Sequence, residues 1–404
     1  MRLALRWLSG RIKLPSYPDR TTPLPRLRLR RVLIALGVLV VIILLVLVAS
    51  TGWLDALGAR ATGHRLARIQ RSPNYRNGSF QNPEPTDLGL RGGTGNMLKR
   101  WFFGGEVRVP PGPIPIVTLT RAAFEKPPAS GLRATWLGHS TVLVEIDGGR
   151  VLFDPVWARR ASPSSLVGPK RFHAPPSPLD QLPPLDAIVA SHDHYDHLDR
   201  GVIKALVRDT AQSRARFIVP LGVGAHLEKW GVAPERITEL DWFESTNVGA
   251  LTLTATPARH FSGRSLGDRN HTLWASFAVT GPTHRVFHSG DTGPFGGFEK
   301  IGADHGPFDL TLIKIGAYGY NWPDIHLTPE QAVEAHVRLR GKLLLPIHWG
   351  TFNLAYHAWD EPAERVVAAA TANGTQLVVP RPGESIEPSS APAVQPWWRN
   401  VRAK

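Results

Sequence analysis

The longest uniform run in the chain, VLIALGVLVVIILLVLVA at positions 32–49, holds only apolar residues and one glycine, and no charge follows until Asp55. As a helix these 18 residues would extend about 27 Å at ~1.5 Å per residue, enough to cross a bilayer core. The run predicts a transmembrane anchor over 32–53. Val48-Ala49-Ser50 resembles a cleavage site, but the basic region ahead of the run is far longer than a signal peptide's, so an uncleaved anchor is expected.

From about residue 130 the pattern changes to short apolar runs that alternate with helical periodicity. TWLGHSTVLVEI (135–146) and RVLF (150–153) read as consecutive strands joined by a hairpin turn at Asp147-Gly148-Gly149. Residues 187–190 form a short buried strand in this reading, and 199–207 have a helical pattern. Residues 252–256, 273–279 and 285–288 are further strands. Thr328 caps a helix with Pro329 at its first position and Gln331 three residues after the cap; it runs to Arg340 and stops at Gly341. A strand at 343–347 follows, and Asp360 caps a last helix ending near Asn373-Gly374. Early hairpins followed by alternating strands and helices predict layered α/β packing.

This divides the chain into a basic N-terminus (1–31), the anchor (32–53), an irregular extension packed on the body (54–129), the body (130–386) and a peripheral tail (387–404). Within the extension, MLKRWFFGG (97–105) sets three aromatics beside Lys99 and Arg100, either as a cluster packed on the body or as a foot in a lipid interface.

Composition narrows the chemistry. The chain has 404 residues, 42% hydrophobic and 20% charged, as suits a folded protein, and no cysteine. Disulfides, thiolate metal sites, iron–sulfur clusters and thiol nucleophiles are excluded, so a transition-metal site must use the 16 histidines and the carboxylates. The net charge of +14 sits mostly at the start: nine Lys/Arg face only Asp19 in the first fifty residues, leaving 38 basic and 32 acidic residues in the other 354. No nucleic-acid partner is expected for such a body. The basic residues ahead of the span predict a single-pass protein with a cytoplasmic N-terminus and the body on the outer, periplasmic side, although Arg60, Arg65, Arg68 and Arg71 weaken the contrast.

The decisive segment is Ser191-His192-Asp193-His194-Tyr195-Asp196-His197, three imidazoles and two carboxylates just after a buried strand. Crowding ionisable groups stabilises nothing, and strand-end loops are where chemistry is placed. His260, Asp291 and His348 each follow an apolar run where a chain turns out of a sheet. With the histidine loop they complete two metal shells. The all-nitrogen and oxygen set suits zinc best and also admits iron or manganese.

The HxHxDH run with His260, Asp291 and His348 downstream resembles the metallo-β-lactamase fold superfamily. WLGHSTVLVE, SHDHYDHLD, HSGDTG, the His-x-x-Pro-Glu helix start and PIHWGTF resemble the N-acylphosphatidylethanolamine-hydrolysing phospholipase D family and its bacterial relatives, over about 72–381. The resemblance implies a four-layer αββα sandwich. It implies that His192, His194 and His260 hold one divalent metal and Asp196, His197 and His348 a second, with Asp291 bridging, and that a bridging water activated by both metals attacks. It also implies that His326 lines the active site, protonating a leaving alkoxide or binding phosphate; the alternative for His326 is helix-entry packing.

His139 is open between site lining and a structural strand histidine. Asp154 is expected to orient a ligand imidazole or the motif loop, and His288 to be structural. The expected activity is membrane-anchored phospholipid phosphodiester hydrolysis, with a membrane phospholipid and the bilayer as partners. Lactone or amide hydrolysis on the same fold is the alternative. A non-catalytic binding module would be marked by lost ligands, and none is missing.

Overall fold

The computed structural model describes residues 25–50, 52–87 and 91–402. The chain divides into two units, Met1–Ser50 and Thr51–Lys404. In the first, α1 (Pro25–Ser50) is a 26-residue helix. Its described side chains cover 29–43 and include Arg30 and Arg31. Among the described residues no helix is long and apolar enough to cross a membrane. That finding corrects the expected transmembrane anchor at 32–53 and the single-pass location with a cytoplasmic N-terminus and an outer body. Residues 1–24 of the expected basic segment lie outside the described residues.

The second unit opens with short elements: α2 (Trp53–Ala56), α3 (Gly63–Arg71), a hairpin of β1 (Tyr75–Arg76) and β2 (Ser79–Phe80), and α4 (Gly93–Phe103). Two seven-stranded sheets follow. In the first, β3 (Leu132–Gly138), β4 (Thr141–Ile146) and β5 (Gly149–Phe153) run antiparallel. The sheet continues in parallel through β6 (Ala187–Val189), β7 (Arg216–Pro220) and β8 (Ile237–Leu240), with α5 (Arg200–Arg208) and α6 (Gly224–Lys229) as crossovers. The second repeats this plan. β9 (Ser245–Val248), β10 (Leu251–Thr256), β11 (Ser276–Thr280) and β12 (Arg285–His288) form an antiparallel meander. Parallel β13 (Phe308–Lys314), β14 (Gly341–Ile347) and β15 (Gln376–Leu377) complete it, joined through α7 (Gly297–His305), α8 (Pro329–Arg338) and α9 (Glu361–Asn373).

Strand periodicity explains the layers. Val142, Val144 and Phe153 of the first sheet share one core with Leu253, Phe277 and Val279 of the second, and that core extends to Ala332 and Val333 of α8 and to Val366 of α9. The alternate residues Leu143, Leu152, Ile188 and Phe217 form a second core with Val202, Ile203 and Leu206 of α5 and Leu227 of α6. The result is an α/β sandwich with helices outside both sheets.

Two readings of the sequence change. The single strand expected over 135–146 is two strands, reversed at Gly138-His139-Ser140. Gly138 has φ 98°, and a Cβ there would stand 3.0 Å from the His173 ring. Alternation could not reveal this turn, because both faces of both strands are buried. The tail expected to be peripheral is built into the body. After β16 (Ser385–Ile386) pairs with β3, Trp397 stacks on Trp349 at 5.4 Å and Trp398, 1% exposed, donates from Nε1 to Glu364 at 2.7 Å. Trp398→Ala is accordingly expected to destabilise the chain by about 3–5 kcal/mol, read from the shift of its denaturant midpoint. A peripheral tail would leave the midpoint where it is.

Candidate metal centre

The site lies where strands of both sheets end. His139 turns between β3 and β4, Asp154 follows β5, the histidine loop follows β6, His260 follows β10, Asp291 follows β12 and His348 follows β14. Parallel strands deliver their carboxyl ends to one edge, so segments far apart in sequence converge there.

In three imidazoles one ring nitrogen is tied outward, which leaves the other facing the centre. His197 donates from Nδ1 to Asp154 Oδ2 at 2.7 Å, His192 Nδ1 lies 3.0 Å from Ser191 Oγ, and His260 Nδ1 lies 3.1 Å from the carbonyl of Ile325. Outer partners of this kind fix the ring orientation that a metal ligand needs. Asp154 also accepts from the Ser191 amide at 2.7 Å and hydroxyl at 2.8 Å, so one buried carboxylate orients both the loop and a candidate ligand, as the sequence led one to expect.

The inward atoms form two groups. His192 Nε2 stands 2.8 Å and His260 Nε2 3.3 Å from His194 Nδ1. Asp196 Oδ2 lies 3.0 Å from His139 Nε2, 3.3 Å from His348 Nε2 and 3.5 Å from His197 Nε2. Asp291 lies between the groups: Oδ1 is 3.1 Å from His348 Nε2, and Oδ2 is 3.5 Å from His197, 3.7 Å from His260 and 3.8 Å from His326. All seven residues expected as ligands are therefore brought together. His139 and His326 join them, which settles the placement of His139 in favour of site lining. His288 does not: it stacks on Phe153 and bonds the Ser140 carbonyl, a structural role.

Burial governs the charges. It holds the imidazoles of His192, His194, His260 and His326 below their ordinary range, and it lowers His139 to about 3, so these rings carry free lone pairs near neutrality. At His197 burial acts the same way but is outweighed by Asp291, Asp196 and Asp154, which raise it well above the usual value. Burial would raise the two carboxylates; the imidazoles around them, His197 for Asp196 and His348 for Asp291, hold them ionised instead.

These residues fit a divalent cation. His197 Nε2, His348 Nε2, Asp291 Oδ1 and His326 Nδ1 are buried and have no hydrogen-bond partner among the described residues, although ionised oxygens and ring nitrogens stand close together. Orphaned buried polar atoms are rare unless something binds them. The backbone carries strain at the same place: His139, Asp154 and His348 have φ of 54°, 42° and 65°, at about 1–3 kcal/mol each.

Two features escaped the sequence reading. Asp193, one of the two carboxylates in the loop, faces away from the centre, accepting from Gly263 and Thr272. Lys314, at the end of β13, is fully buried, donates to the Gly316 carbonyl at 2.7 Å and is lowered to about 8 by burial against the pull of Asp291 and Asp196. Its only signal was a lone charge closing the apolar run LTLIK. Beside the centre lies a groove of about 350 Å³, where His326 meets Arg100, Tyr318, Tyr320, Gln331 and Tyr356.

Comparison with known proteins gives this geometry a family. Residues 149–349 match the model described as a Beta-lactamase superfamily domain. An uncharacterized Mycobacterium tuberculosis protein is 50% identical over 349 residues, covering 85% of this chain and 92% of its own. The N-acyl-phosphatidylethanolamine-hydrolyzing phospholipase D 1 of Caenorhabditis elegans is 40% identical over 296 residues, covering 69% of this chain and 82% of its own. The solved isothiocyanate hydrolase from Delia radicum gut bacteria shares the fold, with a TM-score of 0.51 at 19% identity over 63% of this chain and 98% of that one. The chain belongs to the β-lactamase superfamily, in the family of the N-acyl-phosphatidylethanolamine-hydrolysing phospholipase D proteins, and is a metal-dependent hydrolase.

Proposed function

We propose that the chain is a dinuclear phosphodiesterase of phospholipase D type, acting on N-acylphosphatidylethanolamine-like phospholipids. The observation that carries this reading is the position of Asp291, whose carboxylate stands 3.1–3.8 Å from histidines of both ligand groups. In this reading His192, His194 and His260 hold one cation, Asp196, His197 and His348 hold the other, and Asp291 serves both. Zinc suits the donor set best. The two ions would supply Lewis acidity toward a phosphoryl oxygen and acidify water.

The chain's own residues supply orientation and proton handling. Asp154 fixes His197, and the Ile325 carbonyl fixes His260. His326 faces both the centre and the groove; kept neutral by burial, it offers a hydrogen bond to a phosphoryl oxygen, or takes up the proton that the attacking water loses and passes it to the departing alkoxide. The net reaction consumes one water and breaks the bond between phosphorus and the head-group oxygen, leaving a phosphatidic acid and an alcohol. The name of the Caenorhabditis elegans relative supports the substrate class. So does α4: its Arg100 lines the groove, while Phe102 and Phe103 are 69% and 83% exposed beside it, apolar surface suited to acyl chains.

Two outcomes are expected. Asp291→Ala lowers turnover by more than about a hundredfold, whereas His271→Ala, outside both ligand groups, leaves it near wild type; equal activity in the Asp291 variant would refute the bridging role. Vesicles containing N-acylphosphatidylethanolamine yield phosphatidic acid, and replacing Trp101, Phe102 and Phe103 by Ser slows that reaction while sparing a short-chain monomeric analogue. Turnover of a lactone with no phosphate-containing product from any phospholipid would replace this reading by carbonyl hydrolysis.

A further inference from the structure

Arg264 follows His260 by four residues and is 4% exposed. A buried guanidinium is costly unless its donors are satisfied, and among the described residues it forms no ion pair with a carboxylate. Its partners are carbonyls instead. Nη1 donates to Asp193 O at 2.5 Å and to Leu198 O at 3.0 Å, the two ends of the loop that carries His194, Asp196 and His197. Nε donates to Ala56 O at 2.8 Å. The guanidinium lies 4.1 Å over the ring of Tyr195 and 5.0 Å over that of Trp230, and the Tyr195 hydroxyl returns a bond to the Arg264 carbonyl at 2.6 Å.

A second line runs parallel to the first. The Ala59 amide donates to His226 Nδ1 at 2.9 Å, and His226 Nε2 lies 3.4 Å from Asp193 Oδ2. Asp193 Oδ1 in turn accepts from the Gly263 amide at 2.8 Å, next to Arg264. Residues 56–59 thus reach the back of the loop twice, once through Arg264 and once through His226.

We propose that Arg264 is a positioning residue that clasps both ends of loop 193–198 and, braced by Ala56 and Ala59, holds the loop's metal-binding side chains in register with His260. The proposal rests on the ligand reading given above. The loop's internal backbone bonds run from the His197 and Leu198 amides to His194 O, at 3.1 and 2.9 Å, and neither reaches Asp193, whereas Arg264 Nη1 bonds the carbonyls of both end residues. Lysine cannot replace the clasp. A single ammonium lacks the planar face that stacks on Tyr195 and the separate Nε that bonds Ala56.

The test uses the full chain with Arg264→Lys, Arg264→Met and His226→Ala, and with Arg264→Ala for chemical rescue. In metal-free protein, amide exchange in peptides covering 191–200 should quicken at least tenfold in both Arg264 variants, with the sheets at wild-type protection. Zinc release into excess chelator should be about 10–100-fold faster than from wild type. Methylguanidinium added to Arg264→Ala should slow that release again, which a merely structural loss would not allow. His226→Ala cuts the second line alone and should show the same changes at smaller size, keeping the test open if the Arg264 variants do not fold. Wild-type loop exchange and wild-type zinc release in a folded variant would overturn the clasp. A wild-type chain that takes up no zinc, iron or manganese would overturn the ligand reading, and the clasp with it.

Discussion

Burying Asp291 among imidazoles from four separate segments is the constraint on which the rest of the structure depends. An ionised carboxylate out of water is costly unless cations or hydrogen bonds compensate it. Here the neighbours are His197, His260, His326 and His348, and burial keeps His260 and His326 neutral. The compensation within the chain is incomplete, since Asp291 Oδ1 and His348 Nε2 stand 3.1 Å apart without either making a hydrogen bond. A site left in that state is made for a cation. The strained backbone at His139, Asp154 and His348 fits the same account: packing holds these residues where the centre needs them rather than where their own torsions prefer.

The surrounding fold then reads as a set of supports. Asp154 holds His197 from the end of β5, and the Ile325 carbonyl holds His260. His348 is supported by two neighbours at once. Its amide bonds the His139 carbonyl at 2.9 Å, and Trp349 beside it is sandwiched between Trp136 and Trp397. The C-terminal tail thereby contributes to the centre through a stack of indoles, and the N-terminal extension contributes through Ala56 and Ala59. The tail acts on the segment of His348 and the extension on loop 193–198, from opposite ends of the sequence.

Much of the centre was legible in the sequence because its chemistry is local and dense. Three histidines and two carboxylates in six positions have no structural explanation, and His260, Asp291 and His348 each mark the end of an apolar run. The helix at 329–338 was equally legible, since its capping box is written in Thr328, Pro329 and Gln331. What remained hidden depends on tertiary contact. Nothing in the sequence shows what Asp193 does, and it is packing against Gly263 and Thr272 that turns it away from the centre. The reversal at His139 is invisible to alternation when both faces are buried, and the tail's role needs Trp349 as a partner. The apolar run in α1 shows the opposite failure. Composition alone predicted a bilayer span, and among the described residues no helix meets that requirement.

The central claim is that the two ligand groups hold two cations with Asp291 between them. Anomalous diffraction at the zinc edge, on crystals grown with zinc, tests it most directly. The account predicts two peaks per chain, one against His192, His194 and His260, the other against Asp196, His197 and His348, with the Asp291 carboxylate reaching both. A single peak, or two peaks of which neither touches Asp291, would contradict it.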